Sequence, residues 1–249
     1  MHRLLVACEL LSQDEVGLPK EAAHHLKVLR PKNGEPIELF DGRGHTRVYQ
    51  WNGATGRLDQ PQGPVVAHPR TGLPLTLFAC VTKGSRWDWT IEKAVELGVS
   101  RIVPVISDRA IVRLDPKERP AKAERWMRVA EDAARQSDAV WLPEIVVPLD
   151  FADSLPLVQA CRAVFVGALT NPPPPPLLAA VQKVRAAEKE ETPATANGLG
   201  LYVGPEGDFT PAELDALLAI AVPTSFGPTI LRAETAAIFG LSVLAAACH

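Results

Sequence analysis

The sequence predicts two domains of different class, a small N-terminal β-barrel and a larger α/β domain built on a parallel sheet. Short β-type runs separated by Gly, Asn and Asp fill residues 1–70, which is the spacing of a small barrel. From residue 74 onward, apolar runs alternate with stretches of helical spacing, which is typical of a parallel sheet covered on both faces. We therefore predict domains at residues 1–70 and 74–249, with a linker over residues 64–73.

The elements of the first domain follow from β-type runs that end at turn-forming residues. The predicted strands are residues 3–8, 36–40, 46–51 and 55–58. A short helix is expected at residues 19–28, before the turn Pro31-Lys32-Asn33-Gly34. At 249 residues with 47% hydrophobic content, the chain can bury a core in each domain.

The elements of the second domain follow from alternation between apolar runs and helical spacing. The predicted strands are residues 75–81, 101–106, 163–167, 199–203 and 222–226. The predicted helices are residues 87–97, 121–136, 151–160, 211–220 and 233–247. Five consecutive prolines at residues 172–176 predict a stiff extended loop, because proline fixes φ.

Composition indicates a cytoplasmic protein without a metal centre. No apolar run approaches the roughly 18 residues of a membrane span, and the N-terminal apolar run stops at Glu9. The four cysteines are widely scattered and form no Cys-x-x-Cys pair, which argues against a metal site and a disulfide scaffold. We expect buried thiols in a reducing compartment and no metal.

The charge distribution points to nucleic acid more strongly than the net charge of −3 does. Residues 109–128 carry seven basic and three acidic side chains, whereas residues 136–249 carry 5 basic and 12 acidic ones. Phosphate contact depends on local rather than total charge, so this basic band suits it. A solvated loop and helix face explains the band equally well.

Several common catalytic and cofactor motifs are absent from the sequence. Five of the six histidines precede residue 69 and the sixth is the last residue, so a histidine base in the α/β domain is not expected. Neither Gly-x-Gly-x-x-Gly nor the P-loop pattern occurs, which leaves dinucleotide or NTP binding without support. Thr210, Pro211 and Glu213 form a capping box with proline at the first helical position, a structural role.

Two Gly/Pro-rich turns near the C-terminus carry the strongest functional signal. The first reads Gly-Pro-Glu-Gly-Asp-Phe at residues 204–209, and the second reads Phe-Gly-Pro-Thr-Ile-Leu-Arg-Ala-Glu-Thr-Ala at residues 226–236. Each lies between an apolar run and a helical stretch, where α/β proteins place ligands. Glycine lets the backbone approach a ligand, and a helix N-terminus offers unpaired N–H donors. Either turn alone also fits an ordinary connection; their order and spacing favour a ligand site.

In this order the two turns resemble the signature of the ribosomal RNA uridine-N3 methyltransferases of the SPOUT superfamily. The resemblance covers nearly the whole chain. Further matches are Lys83-Gly84, residues 92–99, residues 104–109, Gln136-Ser137 and residues 142–145, and in the N-terminal domain His25, residues 28–30, Gly34 and residues 40–42. The sequence departs from the family pattern at Arg135, Ala139, Asp208, Phe226 and Thr229.

The resemblance implies a SPOUT-type α/β domain with a trefoil knot, a PUA-like N-terminal RNA-binding domain, and S-adenosylmethionine (AdoMet) as cofactor. It places the cofactor in three loops, where the backbone holds the adenine and apolar side chains supply contact area. The implied cofactor residues are Leu169, Thr170, Gly204, Pro205, Glu206, Gly207, Phe226, Gly227, Ile230 and Leu231.

The implied catalytic residues are Arg232 and Glu234. Methylation at N3 requires loss of the imide proton, and a cation such as Arg232 would stabilise the negative charge that develops on the uracil oxygens. A carboxylate or a water could take the proton, and Arg232 could instead form a buried ion pair with Glu234 or another carboxylate. The basic residues expected to hold RNA are Arg30, Arg43, Arg47, Lys83, Arg109, Arg113 and Arg125.

The implied partner is the 16S rRNA of the small ribosomal subunit, and the implied assembly is a homodimer. The apolar segment 236–247 needs burial on nearly all sides, so we expect it to pack at a two-fold interface with part of residues 126–141. Two alternatives stay open: a SPOUT methyltransferase for another RNA position, including the ribose 2′-O, and a non-catalytic RNA-binding assembly factor.

Overall fold

The computed structural model describes residues 1–168, 170, 172–187 and 198–248. The predicted cofactor residue Leu169 lies outside these ranges. The chain divides into two compact units, the first formed by Met1–Arg70 with Glu131–Leu142 and the second by Thr71–Ala130 with Pro143–His249. The first unit thus contains a segment from beyond residue 70, which the division predicted from the sequence had left in the second domain.

The first unit is a four-stranded sheet in the order β1-β2-β3-β4, with β1 parallel to β2 and the other pairs antiparallel. The strands are β1 (His2–Leu5), β2 (Pro36–Phe40), β3 (His45–Asn52) and β4 (Arg57–Ala67). Helix α1 (Lys20–Leu29) and a 3₁₀ helix (Cys8–Ser12) pack on the sheet through Leu26 and Leu11. Its core centres on Ile37, Leu39 and Tyr49.

Two predictions for the first unit are wrong. The strand expected at residues 3–8 ends at Leu5 and gives way to the 3₁₀ helix. Strand β4 continues to Ala67, through residues predicted as linker. It contains Pro61 and Pro64, and an edge strand tolerates proline because one of its sides makes no ladder hydrogen bonds.

The second unit is a seven-stranded parallel sheet in the order β11-β9-β10-β5-β6-β7, with β8 also paired to β6. The strands are β5 (Leu75–Cys80), β6 (Arg101–Ile106), β7 (Glu144–Ile145), β8 (Leu149–Asp150), β9 (Ala163–Gly167), β10 (Leu199–Val203) and β11 (Val222–Thr224). The helices are α2 (Ser85–Glu96), α3 (Arg119–Gln136, which also enters the first unit), α4 (Phe151–Ala160), α5 (Leu177–Ala186), α6 (Pro211–Leu218) and α7 (Ala233–Cys248). The predicted parallel α/β sheet is confirmed, while the trefoil knot stays a prediction from the resemblance.

The aromatic core of the second unit supports the carboxyl end of β10. Tyr202 stacks on Phe78 with ring centroids 5.5 Å apart and meets Phe209 edge-on at 5.7 Å. Its hydroxyl shares a hydrogen bond of 2.9 Å with Ser154. A buried hydroxyl without a partner would be costly, so this bond lets an aromatic anchor sit directly beneath the first Gly/Pro turn.

The predicted stiff proline run takes part in the sheet edge. Ser225 donates its N–H to the carbonyl of Pro175 at 2.9 Å, and Leu177 donates to the carbonyl of Ser225 at 3.0 Å. Strand β11 ends at Thr224, earlier than predicted, and at Ser225 the chain pairs with the proline run instead of with β9. Helix α5 begins at Leu177, directly after the proline run.

No helix within the described ranges combines the length and the apolar character that crossing a bilayer requires.

Candidate active site

A cavity of about 520 Å³ opens at the carboxyl ends of β9, β10 and β11. Its lining comes from residues 167–168 after β9, residues 202–209 around the end of β10, and residues 224–227 and 229–233 after β11, with Ala236 of α7. The volume is that of a typical small-molecule site. The position is the edge where α/β sheets bind ligands, as the two turns predict.

The first turn, residues 204–209, is a tight structure closed by its own side chains. Gly204 has no room for a side chain, because a Cβ there would lie 2.9 Å from the ring of Phe209. Asp208 has a left-handed backbone with φ of 60°, a conformation that favours glycine. Its own Oδ1 accepts the N–H of Phe209 at 2.8 Å, a local bond that lets aspartate adopt this conformation.

The same turn is braced by two charged residues outside it. Arg109 donates from Nη1 to the carbonyl of Phe209 at 3.1 Å and approaches the carbonyl of Gly207 at 3.4 Å. Glu213 forms the predicted capping box, with its Oε2 accepting from Thr210 N at 2.8 Å. Its Oε1 accepts from Asp108 N at 2.9 Å, so the carboxylate joins the loop after β6 to the turn after β10.

The second loop, residues 226–232, depends on glycine and on aromatic packing. Gly227 has a φ of 122°, a conformation that L-residues with side chains rarely adopt. Phe226 lies over Gly167, where a Cβ would approach its ring to 2.6 Å, and its ring centroid is 5.9 Å from that of Phe239. Ile230 is 83% exposed at the edge of the cavity, an apolar side chain that a ligand could cover.

Arg86 of α2 lies between two carboxylates beside the cavity. Its Nη1 is 3.6 Å from Glu206 Oε1, and its Nε is 4.0 Å from Glu234 Oε1. The other oxygen of Glu234 is buried without a hydrogen-bond partner among the described residues. Arg232 lines the cavity with an exposed side chain and makes no ion pair within the described part of the chain. The alternative of a buried ion pair between Arg232 and Glu234 or another carboxylate is therefore wrong among the described residues, and the cation beside Glu234 is Arg86.

Most of the predicted ligand residues meet in this cavity. The lining includes Arg232 and the cofactor candidates Gly204, Pro205, Glu206, Gly207, Phe226, Gly227, Ile230 and Leu231. Thr170 is not among the lining residues, and Glu234 is held beside the cavity rather than in its wall. Sequence reasoning missed Arg86, since nothing in α2 reveals which helix face meets the glycine turn.

The basic residues predicted to hold RNA divide into two groups. Arg30, Arg43 and Lys83 are exposed and make no side-chain hydrogen bond or ion pair among the described residues; Arg109, Arg113 and Arg125 are exposed as well. The other four use their guanidinium groups within the chain: Arg47 donates to the carbonyls of Leu11 and Gly63, Arg109 to the turn, Arg113 to the carbonyls of Ser107 and Asp108, and Arg125 to Asp88. For these four, the structure supplies a partner that the sequence did not reveal.

Cys8, Asp41 and His45 bring three potential metal-ligand atoms within 4.8 Å of one another in the first unit. Asp41 accepts from Arg43 N at 2.7 Å, His45 N at 3.0 Å and the His45 ring at 2.8 Å. Although burial raises the pKa of Asp41, these bonds outweigh it and hold the pKa below its usual range. The hydrogen bond to Asp41 also raises the pKa of the Cys8 thiol. The bonds give this cluster a structural role in the turn after β2.

Comparisons with known proteins agree over most of the chain. A family model described as an RNA methyltransferase domain matches residues 69–245, and one described as an RNA methyltransferase PUA domain matches residues 18–50. Ribosomal RNA small subunit methyltransferase E of Synechocystis is 30% identical over 97% of this chain and 76% of its own length. The protein of that name from Mycobacterium tuberculosis is 32% identical over 90% of this chain and 83% of its own.

Among solved structures, the ribosomal RNA small subunit methyltransferase E of Neisseria gonorrhoeae, bound to S-adenosyl methionine, matches with a TM-score of 0.77. It is 26% identical to this chain, and the match covers 97% of this chain and 95% of that one.

Proposed function

Because the chain belongs to the ribosomal RNA small subunit methyltransferase E family, we propose that it transfers a methyl group from AdoMet to N3 of a uridine in 16S rRNA. The observation that carries the proposal is the cavity itself. Two glycine turns and a third loop meet at the carboxyl edge of a parallel sheet and enclose a space of cofactor size. The N. gonorrhoeae relative, with AdoMet bound, supports the choice of cofactor.

The residues present fit AdoMet. The turn at residues 204–207 offers backbone groups that approach a ligand closely, while Phe226, Ile230 and Leu231 offer apolar area for an adenine. Bound AdoMet would supply an electrophilic methyl group on a sulfonium centre. The carboxylate of Glu206 in the cavity wall suits a cofactor that carries positive charge.

The proposed catalytic group is Arg232. Uridine N3 must lose its proton to become a nucleophile, and the charge then spreads onto the uracil oxygens. An exposed guanidinium in the cavity wall, with no carboxylate partner among the described residues, is free to donate to those oxygens as charge develops. We assign Glu234 a supporting role, since Arg86 approaches one of its oxygens. The target base would have to leave its stack to reach the cavity.

We further propose that the protein acts as a cytoplasmic homodimer that holds RNA through exposed basic residues. Helix α7 carries apolar residues nearly all round, and its Phe239 is 41% exposed. Trp126 packs edge-on against Trp87 at 5.4 Å inside its own unit, so the proposed contribution of residues 126–141 to the interface would come from other residues of that segment. Among the basic residues predicted to hold RNA, Arg30, Arg43 and Lys83 are exposed and make no ion pair within the described ranges, so they are proposed to contact phosphates.

Nucleoside mass spectrometry of ribosomal RNA tests the reaction. A strain lacking the gene should lose 3-methyluridine from 16S rRNA, and the wild-type gene should restore it while Arg232→Ala should not. Loss of a 2′-O-methyl nucleoside instead would favour the alternative substrate position. Unchanged nucleosides together with no AdoMet binding by calorimetry would favour the non-catalytic assembly factor.

Light scattering tests the assembly. At micromolar concentration we expect the mass of a dimer, and Phe239→Glu should lower it to that of a monomer by placing a charge on the apolar surface of α7. A monomer mass for the wild-type protein would contradict the dimer.

A further inference from the structure

We propose that Arg109 is a positioning residue for cofactor binding, and that with Glu213 it makes the loop at residues 107–113 part of the cofactor site. The inference rests on the proposed AdoMet site and adds to it a residue that does not line the cavity. The position of Arg109 in the basic band at residues 109–128 suggested an RNA contact, but in the structure its side chain bonds to the carbonyl of Phe209.

The first evidence is that one guanidinium nitrogen of Arg109, Nη1, contacts two carbonyls of the turn. A guanidinium presents several N–H donors in a rigid plane, and here one end of that plane reaches the Phe209 carbonyl at 3.1 Å and the Gly207 carbonyl at 3.4 Å. Charge-assisted hydrogen bonds are stronger than neutral ones. The two carbonyls flank Asp208, the residue whose left-handed backbone shapes the turn. Arg109 therefore holds the turn at its most strained point.

The second evidence is the close fit of backbone to side chain. A Cβ on Gly207 would lie 3.4 Å from both Cβ and the carbonyl oxygen of Arg109, which is already contact distance. The backbone of the turn therefore lies close to Arg109 at Gly207. A shift of Arg109 would be transmitted to Gly207, a residue of the cavity wall.

The third evidence is the carboxylate that locks the same pair of loops. Glu213 is only 5% exposed, and its two oxygens accept from Asp108 N and Thr210 N, one on each loop. A buried carboxylate needs such donors, so neither loop can move away without leaving it unpaired. Arg113 closes the loop by donating to the carbonyls of Ser107 and Asp108. The cofactor turn and the loop after β6 are therefore one braced unit.

Arg109→Lys separates a positioning role from an RNA contact. Lysine keeps the positive charge that a phosphate needs, but its ammonium ends one bond short of the position of Nη1, the nitrogen that reaches both carbonyls. We expect calorimetry to give a Kd for AdoMet about tenfold higher than that of the wild-type protein, by analogy with loss of a charge-assisted hydrogen bond. RNA affinity without cofactor, and its dependence on salt, should stay at the wild-type level. In steady-state kinetics, KM for AdoMet should rise while kcat changes little.

The matched control is Arg101→Lys, which changes the arginine at the opposite end of β6, where it pairs with Glu144. It should leave the AdoMet Kd unchanged. If Arg109→Lys does not fold, as judged by its melting curve, Glu213→Gln is the second variant, and it too should weaken AdoMet binding by several fold because one amide cannot accept from both loops.

The outcomes separate this inference from the proposed function. A wild-type protein that does not bind AdoMet would overturn the proposed function. If the wild-type protein binds AdoMet and both variants bind it equally well, only the positioning role is wrong. An AdoMet Kd unchanged in Arg109→Ala, with RNA affinity reduced and a smaller salt slope, would make Arg109 an RNA contact instead.

Discussion

The two loops that line the cavity are built differently, although both follow parallel strands at one edge of the same sheet. The turn at residues 204–209 is held from outside by Arg109 and Glu213 and from inside by Asp208. The loop at residues 226–232 has a weak bond of 3.3 Å between Ser225 and Gly227, and it leaves Ile230 exposed. One loop is organised before a ligand arrives, and the other has contacts still to gain.

This difference suggests that the turn at residues 204–209 contributes mainly to ligand affinity and the loop at residues 226–232 mainly to the reaction rate. A preorganised turn needs little reorganisation when a ligand binds, so its bonds contribute to affinity. In the proposed complex, the exposed side chains of Arg232 and Ile230 would gain partners when substrate and cofactor bind. Interactions gained late are the ones that raise the rate. We therefore expect substitutions in the second loop to have the larger effects on catalysis.

Arg232→Ala should have the largest effect. Loss of a donor to a developing oxyanion costs on the order of 10²-fold or more in rate. Because Arg232 has no ion pair in the described part of the chain, the melting temperature should stay unchanged. Single-turnover methylation beside a melting curve measures both, with Arg232→Lys as the variant that keeps charge but not the fork. If Arg232→Ala loses stability and activity in parallel, Arg232 has a structural role. If the variant is stable and fully active, Arg232 has neither a structural nor a catalytic role.

Gly227→Val should weaken the cofactor site next most strongly. At a φ of 122° a β-branched residue is strained by roughly 1–3 kcal/mol, which corresponds to about ten- to a hundredfold in affinity if the loop must keep that conformation to bind. Calorimetry with AdoMet measures the loss, and the fold should remain intact because no atom lies within 4 Å of the added Cβ. Gly56→Ala, at another positive φ in an exposed turn, is the control for strain alone and should bind AdoMet normally. Unchanged affinity for Gly227→Val would remove this loop from the cofactor site.

Asp208→Ala should have a smaller effect, on stability. Alanine keeps the left-handed strain of about 1 kcal/mol but loses the bond from Phe209 N to Oδ1. Glycine loses the same bond and removes the strain, so Asp208→Gly should be more stable than Asp208→Ala. A difference of about 1 kcal/mol corresponds to roughly 2–4 °C in melting temperature for a unit of this size. Equal melting temperatures would show that the turn relaxes around either residue.

The sequence predicted the strands that form the cavity edge better than the contacts that shape the cavity. Strands β6, β9 and β10 have the predicted bounds because each is an uninterrupted apolar run between turn signals. Strand β11 ends before its predicted bound, and Ser225 then bonds to the proline run, a contact between distant segments that no local pattern reveals. The glycines of the two turns also predicted the cavity correctly, because the backbone conformation that glycine permits is a local property, as an apolar run is.

The charged residues were the hardest to assign from the sequence. Arg109 bonds to a carbonyl 100 residues away, and nothing in its neighbours distinguishes a guanidinium that braces a turn from one that awaits a phosphate. Arg86 is similar, because the helix pattern of α2 predicts which face is buried but not that its exposed edge meets Glu206. Counting charges along the sequence identifies a basic band, but the tertiary structure decides which of its residues are free to contact RNA phosphates.

Lys83→Ala tests whether an exposed basic residue near the cavity contacts RNA. We expect its effect, on RNA affinity, to be the smallest of the four. Lys83 is exposed just after β5, at the carboxyl edge where the cavity opens, and a phosphate contact there would be one of several. Removing one such contact should reduce the slope of log affinity against log salt by about 1 and lower RNA affinity a few fold, without a change in AdoMet Kd. Arg101→Ala, at the amino edge of the same sheet, removes one positive charge where no RNA is expected and should leave the slope unchanged. Equal slopes for Lys83→Ala and the wild-type protein would place the RNA elsewhere and leave the cavity edge to the cofactor and the target base alone.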